Sequence, residues 1–111
     1  MRYGRELLKG STEPLLLSLI TRQPMYGYQI IKELERRSGG YFTFREGTLY
    51  PALHRLEERG LIIGRWERLS TGQERRYYHI TEQGQHALEE KVTEWRGFSR
   101  AVNSIMQPES P

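Results

Sequence analysis

Tyr50, His54 and Arg55 fall on one side of the stretch Gly47 to Ile62 and offer a phenol, an imidazole and a guanidinium to whatever lies outside it. On the other side Leu49, Leu53 and Leu56 recur at i, i+4 and i+7, the spacing of a single buried helical face. Thr48, Pro51 and Glu58 join the polar side. Pro51 is expected in the first turn, where its missing N–H is harmless. Gly60 stops the helix and Leu61-Ile62-Ile63 opens a strand. A second group of donors follows at a hairpin turn, Ser70-Thr71-Gly72-Gln73, with Gly72 supplying the positive φ of a tight turn and Gln73, Arg75 and Arg68 beside it. Tyr and His on a narrow helix, next to a hairpin armed with Arg, suit duplex DNA. The helix can enter the major groove and reach base edges, and the hairpin arginines can reach phosphate or the minor groove.

Each of these residues also has a plainer role open to it. Arg55 could pair with Glu58 or Glu35, and the hairpin could be no more than a solvated surface. Two tyrosines upstream, Tyr26 and Tyr28, are further candidates to donate to phosphate. Tyr28 could equally pack beneath the polar helix. Tyr26 precedes the apolar stripe and is expected to be the more exposed of the two. By alternation Arg76 and Tyr78 share one face of their strand and Arg75 and Tyr77 the other, so one pair is expected to be structural.

The elements that must hold these groups can be read from the apolar pattern. Ser11 is an expected N-cap for a first helix carrying Leu15, Leu16, Leu19 and Ile20, broken at Arg22-Gln23-Pro24. A second helix is expected from about Tyr26 to Ser38 with Ile30, Ile31 and Leu34 inward, closed by Gly39-Gly40. Tyr41 to Phe44 alternates briefly, as a short extended segment would. The third helix covers Thr48 to Arg59, the strands Leu61 to Arg68 and Arg75 to Ile80. Thr81 caps a fourth helix running to Met106. Along it Leu88, Val92, Trp95, Ser99, Val102 and Met106 keep 4-3-4-3-4 spacing, a heptad seam with Phe98 and Ile105 beside it. The fold class expected is mainly α with a β-hairpin: a winged helix-turn-helix over residues 1–80, a long C-terminal dimerisation helix over 81–106, and a disordered tail over 107–111. Leu16, Leu88, Val92, Trp95, Phe98 and Val102 are the expected dimer interface, and residues 1–10 an extension of the first helix or an arm on a partner.

Three runs of this chain, in order, carry a family resemblance: Pro24-Met-Tyr-Gly-Tyr-Gln-Ile30, the run GTLYPALHRLEERGLI from Gly47, and RRYYHITEQG from Arg75. They are similar to the signatures of the PadR family of winged-helix transcriptional regulators, over roughly residues 5–106. The family more often has His where this chain has Tyr26. The chain ends soon after one long helix, as in the family's short members. The resemblance implies that Tyr50 reaches the DNA backbone and that Gly72 and Arg75 belong to a functional wing. It also implies a possible role for Trp95, since some PadR-like regulators hold planar aromatic effectors between paired tryptophans at the dimer interface.

Composition bounds the alternatives. At 111 residues the chain is one small domain, for which dimerisation would add burial. Its net charge of +3 is unevenly placed: residues 1–80 hold 14 Lys+Arg against 9 Glu, and residues 81–111 hold 3 against 5. The basic part is thus the part assigned to DNA. Arginine makes up 14 of the 17 basic residues, which favours bidentate contacts, though a GC-rich genome alone would give the same bias. There is no Cys, which suits a cytoplasmic protein, and no apolar run of membrane-spanning length or signal-peptide layout. There is no Asp and no Gly-rich phosphate loop, and His54, His79 and His86 lie on three different elements, so neither an enzyme, a metal site nor a cofactor is expected. The expectation is a homodimeric, sequence-specific DNA-binding regulator, a repressor on an inverted repeat, responsive to a small planar ligand. The rival is a winged-helix module for protein–protein contact alone, which calls for a less basic third helix and hairpin.

Overall fold

A computed structural model describes residues 10–108. Residues 1–9 of the N-terminal arm expected over residues 1–10, and the last three residues of the tail, lie outside the described residues. Among the described residues four helices and three strands follow in the order α1 (Thr12–Ile20), β1 (Met25–Tyr26), α2 (Gly27–Arg37), α3 (Glu46–Glu58), β2 (Ile62–Arg68), β3 (Glu74–Ile80) and α4 (Glu82–Met106).

The core forms where the apolar stripes of α1, α2 and α3 meet the base of the sheet. Leu16, Leu17, Ile20, Ile30, Leu49, Leu53, Leu56 and Ile62 are its largest fully buried side chains. Leu16 is therefore not an interface residue. At 0% exposure it lies inside the protomer, on the α1 face that packs the core, and has no surface left to offer a partner.

The sheet has one strand more than the hairpin. Its order is β1-β3-β2, all antiparallel, with Met25 opposite Tyr78 and Tyr26 opposite Tyr77. Two residues between a proline turn and a helix carry too little alternation to announce a strand. Tyr41–Phe44 forms no strand, and Phe44 is instead buried as a core plug. The β2–β3 ladder runs from Ile62↔Ile80 to Arg68↔Glu74, and the wing turn closes with Leu69 N–H donating to Gln73 O at 2.7 Å. Gly72 takes φ +91° there, the left-handed conformation the turn calls for.

Among the described residues α4 is anchored at its start. The Thr81 hydroxyl accepts from Gly84 N–H at 3.0 Å and donates to the Gly60 carbonyl at 2.7 Å, so one side chain caps α4 and ties it to the end of α3. Gly84 lies so close that a Cβ there would overlap the Leu61 carbonyl oxygen. Ala87 and Leu88 still pack against the core. Beyond them the helix projects as an arm, and the molecule reaches 63 Å along its longest axis against 29 and 21 Å on the others.

Candidate nucleic-acid interface

α3 sorts its residues as its periodicity requires. Leu49, Ala52, Leu53 and Leu56 are buried, while Thr48, Tyr50, Pro51, His54, Arg55 and Glu58 are exposed on the outer surface. The helix begins at Glu46, two residues before the expected start, so Pro51 is an interior residue and not a first-turn one. Its ring removes one helical hydrogen bond there, on the solvent side of the helix.

Tyr50 does not simply project. A Cβ built on Gly27 would overlap its phenol oxygen, so the first residue of α2 provides a floor on which the ring lies. Gly27 was not among the sequence candidates. Its signal is faint, because a glycine in the first turn of a helix usually means only a loose start.

His54 is exposed and its Nε2 lies 3.6 Å from Glu58 Oε1, a contact that is ionic only when the imidazole is protonated. Arg55 pairs with neither Glu58 nor Glu35. Its Nε is 3.9 Å from Glu13 Oε2 on α1, and Arg59 shares the same carboxylate. Glu13 thus gathers Arg55 of α3 and Arg59 just past its end although it lies more than forty residues upstream, a pairing no local pattern reveals. Arg55 keeps its side chain more than half exposed.

On the wing the two faces of β3 divide as alternation predicted. Arg76 is the structural one: its Nη2 donates to Glu57 Oε2 at 2.7 Å, and the same carboxylate oxygen accepts from Gly64 N–H at 3.2 Å. Glu57 is near the C-terminal end of α3, so this carboxylate ties α3 to both strands of the hairpin. The hydrogen bond to Glu57 raises the Arg76 pKa above its ordinary value. The ring of Trp66, opposite Arg76 in the ladder, lies 5.8 Å from that guanidinium, with Tyr78 at 5.9 Å on the same face.

Arg75 points the other way. Its guanidinium sits 4.2 Å from the centre of the Tyr26 ring, and Tyr26 meets Tyr77 edge-on at 5.5 Å. The exposure expected of the two upstream tyrosines is reversed. Tyr26 is partly covered because β1 pairs it to β3, whereas Tyr28, on the outer face of α2, is 58% exposed with Lys32 Nζ 5.4 Å from its ring. Gln73 and Gly72 are exposed at the wing tip.

The arm carries the remaining candidates. Leu88, Val92 and Val102 are half-buried, whereas Trp95 is 58% and Phe98 61% exposed, with their rings 5.8 Å apart. Among the described residues no group of His, Cys, Asp or Glu could hold a metal, and no helix is long and apolar enough to cross a membrane.

A third helix with an exposed polar face, docked on two others and flanked by an antiparallel hairpin, defines a winged helix-turn-helix protein. The description "Transcriptional regulator PadR-like family" matches residues 16–90, and the chain belongs to that family. A PadR-like transcriptional regulator from Bacillus cereus superposes with a TM-score of 0.84 at 36% identity, covering 94% of this chain and 99% of that one. The transcriptional regulator Rv3488 of Mycobacterium tuberculosis is 34% identical over 98 residues, 88% of each chain. The transcriptional regulator YqjI of Escherichia coli is 33% identical over 103 residues, which is 88% of this chain but 48% of that protein. These relatives are transcriptional regulators and not enzymes.

Proposed function

We propose that this chain is a homodimeric regulator, acting in the cytoplasm, that represses transcription by binding an inverted-repeat operator. The observation that carries the reading is the exposed row Thr48, Tyr50, Pro51, His54 and Arg55 on a helix whose other face is fully buried, next to a wing presenting Arg75. Tyr50 contacts backbone, His54 and Arg55 face base edges, and Tyr28, Gln73 and Arg75 surround the site with phosphate-directed groups, with Tyr26 beneath Arg75 and Gly72 turning the wing tip.

The arm supports dimerisation. A lone helix carrying an exposed Trp, Phe, Ile and Met is marginal in water, and burying each such side chain is worth about 1.5–3 kcal/mol. Packing Val92, Trp95, Phe98 and Val102 against a two-fold mate places two α3 helices on one face of the duplex, and the half-site spacing follows from that geometry. A flat aromatic ligand stacked between the two Trp95 rings would change the angle of the arms and so the spacing. By linkage, DNA would weaken that ligand in equal proportion.

Selection from randomised duplexes tests the reading and is expected to return an inverted repeat. Arg75→Ala should weaken binding to all sequences and lower the salt slope by about one, whereas His54→Ala should change sequence preference. Failure to bind any duplex at low salt would leave the protein-interaction module as the better account. For the ligand, planar phenolic or cationic compounds are expected to quench the fluorescence of Trp66→Phe protein but not of Trp95→Ala protein. Equal quenching in both variants removes Trp95 from the ligand site.

A further inference from the structure

Tyr26 occupies a different position from the other polar groups around α3. It is pinned from three sides: by the β1–β3 pairing to Tyr77, by the edge contact with the Tyr77 ring, and by its place as the residue before α2, with extended backbone at φ −94° and ψ 167°. A ring held in this way cannot swing out to follow a ligand. Its face is occupied by the Arg75 guanidinium, 4.2 Å from the ring centre.

The arginines of this surface are held in different ways. Arg76 gives its donors to Glu57, while Arg55 and Arg59 lie against Glu13. Among the described residues Arg75 has no carboxylate partner. A guanidinium stacked on an aromatic face is held through its π surface, and its N–H groups point outward in its own plane, free to form a fork. A carboxylate holds an arginine by using up its donors, whereas an aromatic ring holds it and leaves them available.

We propose that Tyr26 is a positioning residue, a platform that presets Arg75 with its donors directed outward to grip a DNA phosphate. The Tyr26 hydroxyl takes no part. Presetting removes part of the side-chain entropy that a free arginine would lose on binding. This inference rests on the assignment of Arg75 to DNA, and its test separates the two.

Binding of the full chain to a mixed-sequence duplex is measured for wild type, Arg75→Ala, Tyr26→Leu, Tyr26→Phe and the Arg75→Ala/Tyr26→Leu double variant. Tyr26→Leu is expected to weaken binding about two- to fivefold, the worth of an exposed cation–π contact. Tyr26→Phe should bind as wild type, and Tyr26→Leu should cost nothing further in the Arg75→Ala background. If Arg75→Ala binds like wild type, the DNA role of Arg75 fails and the platform with it. If Arg75→Ala is weak but Tyr26→Leu is not, or if Tyr26→Leu costs as much without Arg75 as with it, only the platform fails. Loss in Tyr26→Phe equal to that in Tyr26→Leu assigns the role to the hydroxyl and overturns the proposal. Two readouts survive even if Tyr26→Leu misfolds. The Arg75 side-chain Nε–H resonance of the DNA-free protein should lie upfield from the ring current of Tyr26. Arg75→Lys, which keeps the charge and loses the planar face, should bind more weakly than wild type. An unshifted resonance, or a lysine variant as tight as wild type, refutes the stack.

Discussion

The wing and the α4 arm both extend from the same core, and they are finished to different degrees. In the wing and on α3 several polar groups have a protein partner that sets their direction: Glu57 holds Arg76 and Gly64, Glu13 holds Arg55 and Arg59, Gly27 supports Tyr50, and Arg75 lies over the Tyr26 ring. The arm is the reverse. Among the described residues, apolar side chains past Leu88 touch little but each other, as the Trp95–Phe98 contact illustrates. One region is organised within a single protomer, and on the proposed dimer the other becomes complete against a second copy. On the proposed function, a rigid reader joined to such an arm would let regulation act through the arm without remodelling the reader.

The strongest way to break this contrast is to charge the arm. Val92→Glu or Val102→Glu should weaken self-association by about a hundredfold or more, because two carboxylates would be desolvated across a two-fold seam. Since the core closes without the arm, the variants are expected to be folded monomers with an unchanged cooperative unfolding transition of the core. Sedimentation or light scattering that finds intact dimers in both variants would remove the arm as the interface. Loss of the folded core would show that the protomer is not self-sufficient.

Two glycines of α4 test where the reader ends and the arm begins. Gly84→Ala drives a methyl into the Leu61 carbonyl and the Ile80 side chain, and is expected to cost about 1–3 kcal/mol of stability. Gly97→Ala has nothing within 4 Å and should instead stabilise the helix by about 0.5–1 kcal/mol. Denaturant midpoints that move in the same direction for both would mean the joint at Gly84 is looser than its contacts imply.

How far the sequence anticipated these regions follows from how local each signal is. The helices and the hairpin were legible because leucine spacing, Gly60 and Thr81 act within a turn or two of their own positions. The Arg75/Arg76 division was legible from strand alternation, though which of the two is structural was not, because that depends on Glu57 nineteen positions away. β1 was illegible, since a two-residue strand exists only through its partner. Leu16 was misplaced because a leucine on α1 has the same local signature whether it faces its own core or another subunit. Tyr26 and Tyr28 were ranked in the wrong order for the same reason: the β1–β3 pairing that covers Tyr26 is a tertiary fact.

Within the reader, Glu57 is the place to cut. Glu57→Ala frees Arg76 and leaves the Gly64 N–H without its acceptor, at an expected cost of about 1–2 kcal/mol, since the pair is partly open to solvent. It should weaken DNA binding beyond that expected from the loss of stability, because the wing would no longer be fixed to α3. Binding measured well below the melting range separates the two effects. Wild-type affinity in a folded Glu57→Ala variant would mean that the wing needs no such tie.

The smallest expected effect is a pH dependence of the same corner. Burial raises the Tyr78 pKa above its ordinary 10.0, with Arg76 pulling the other way and Glu57 adding to the rise. The folded state therefore holds the phenol proton more tightly than the unfolded chain does. Its contribution to stability is complete below 10.0 and declines as pH rises above that value through the folded-state pKa. Denaturant titrations at paired pH values on either side should show this decline in wild type and a smaller one in Tyr78→Phe, which keeps the ring and removes the titrating group. An equal decline in both would place the alkaline sensitivity elsewhere. A larger decline in Glu57→Ala than in wild type would contradict the sign given to the carboxylate, whose removal takes away a charge that opposes ionisation of Tyr78.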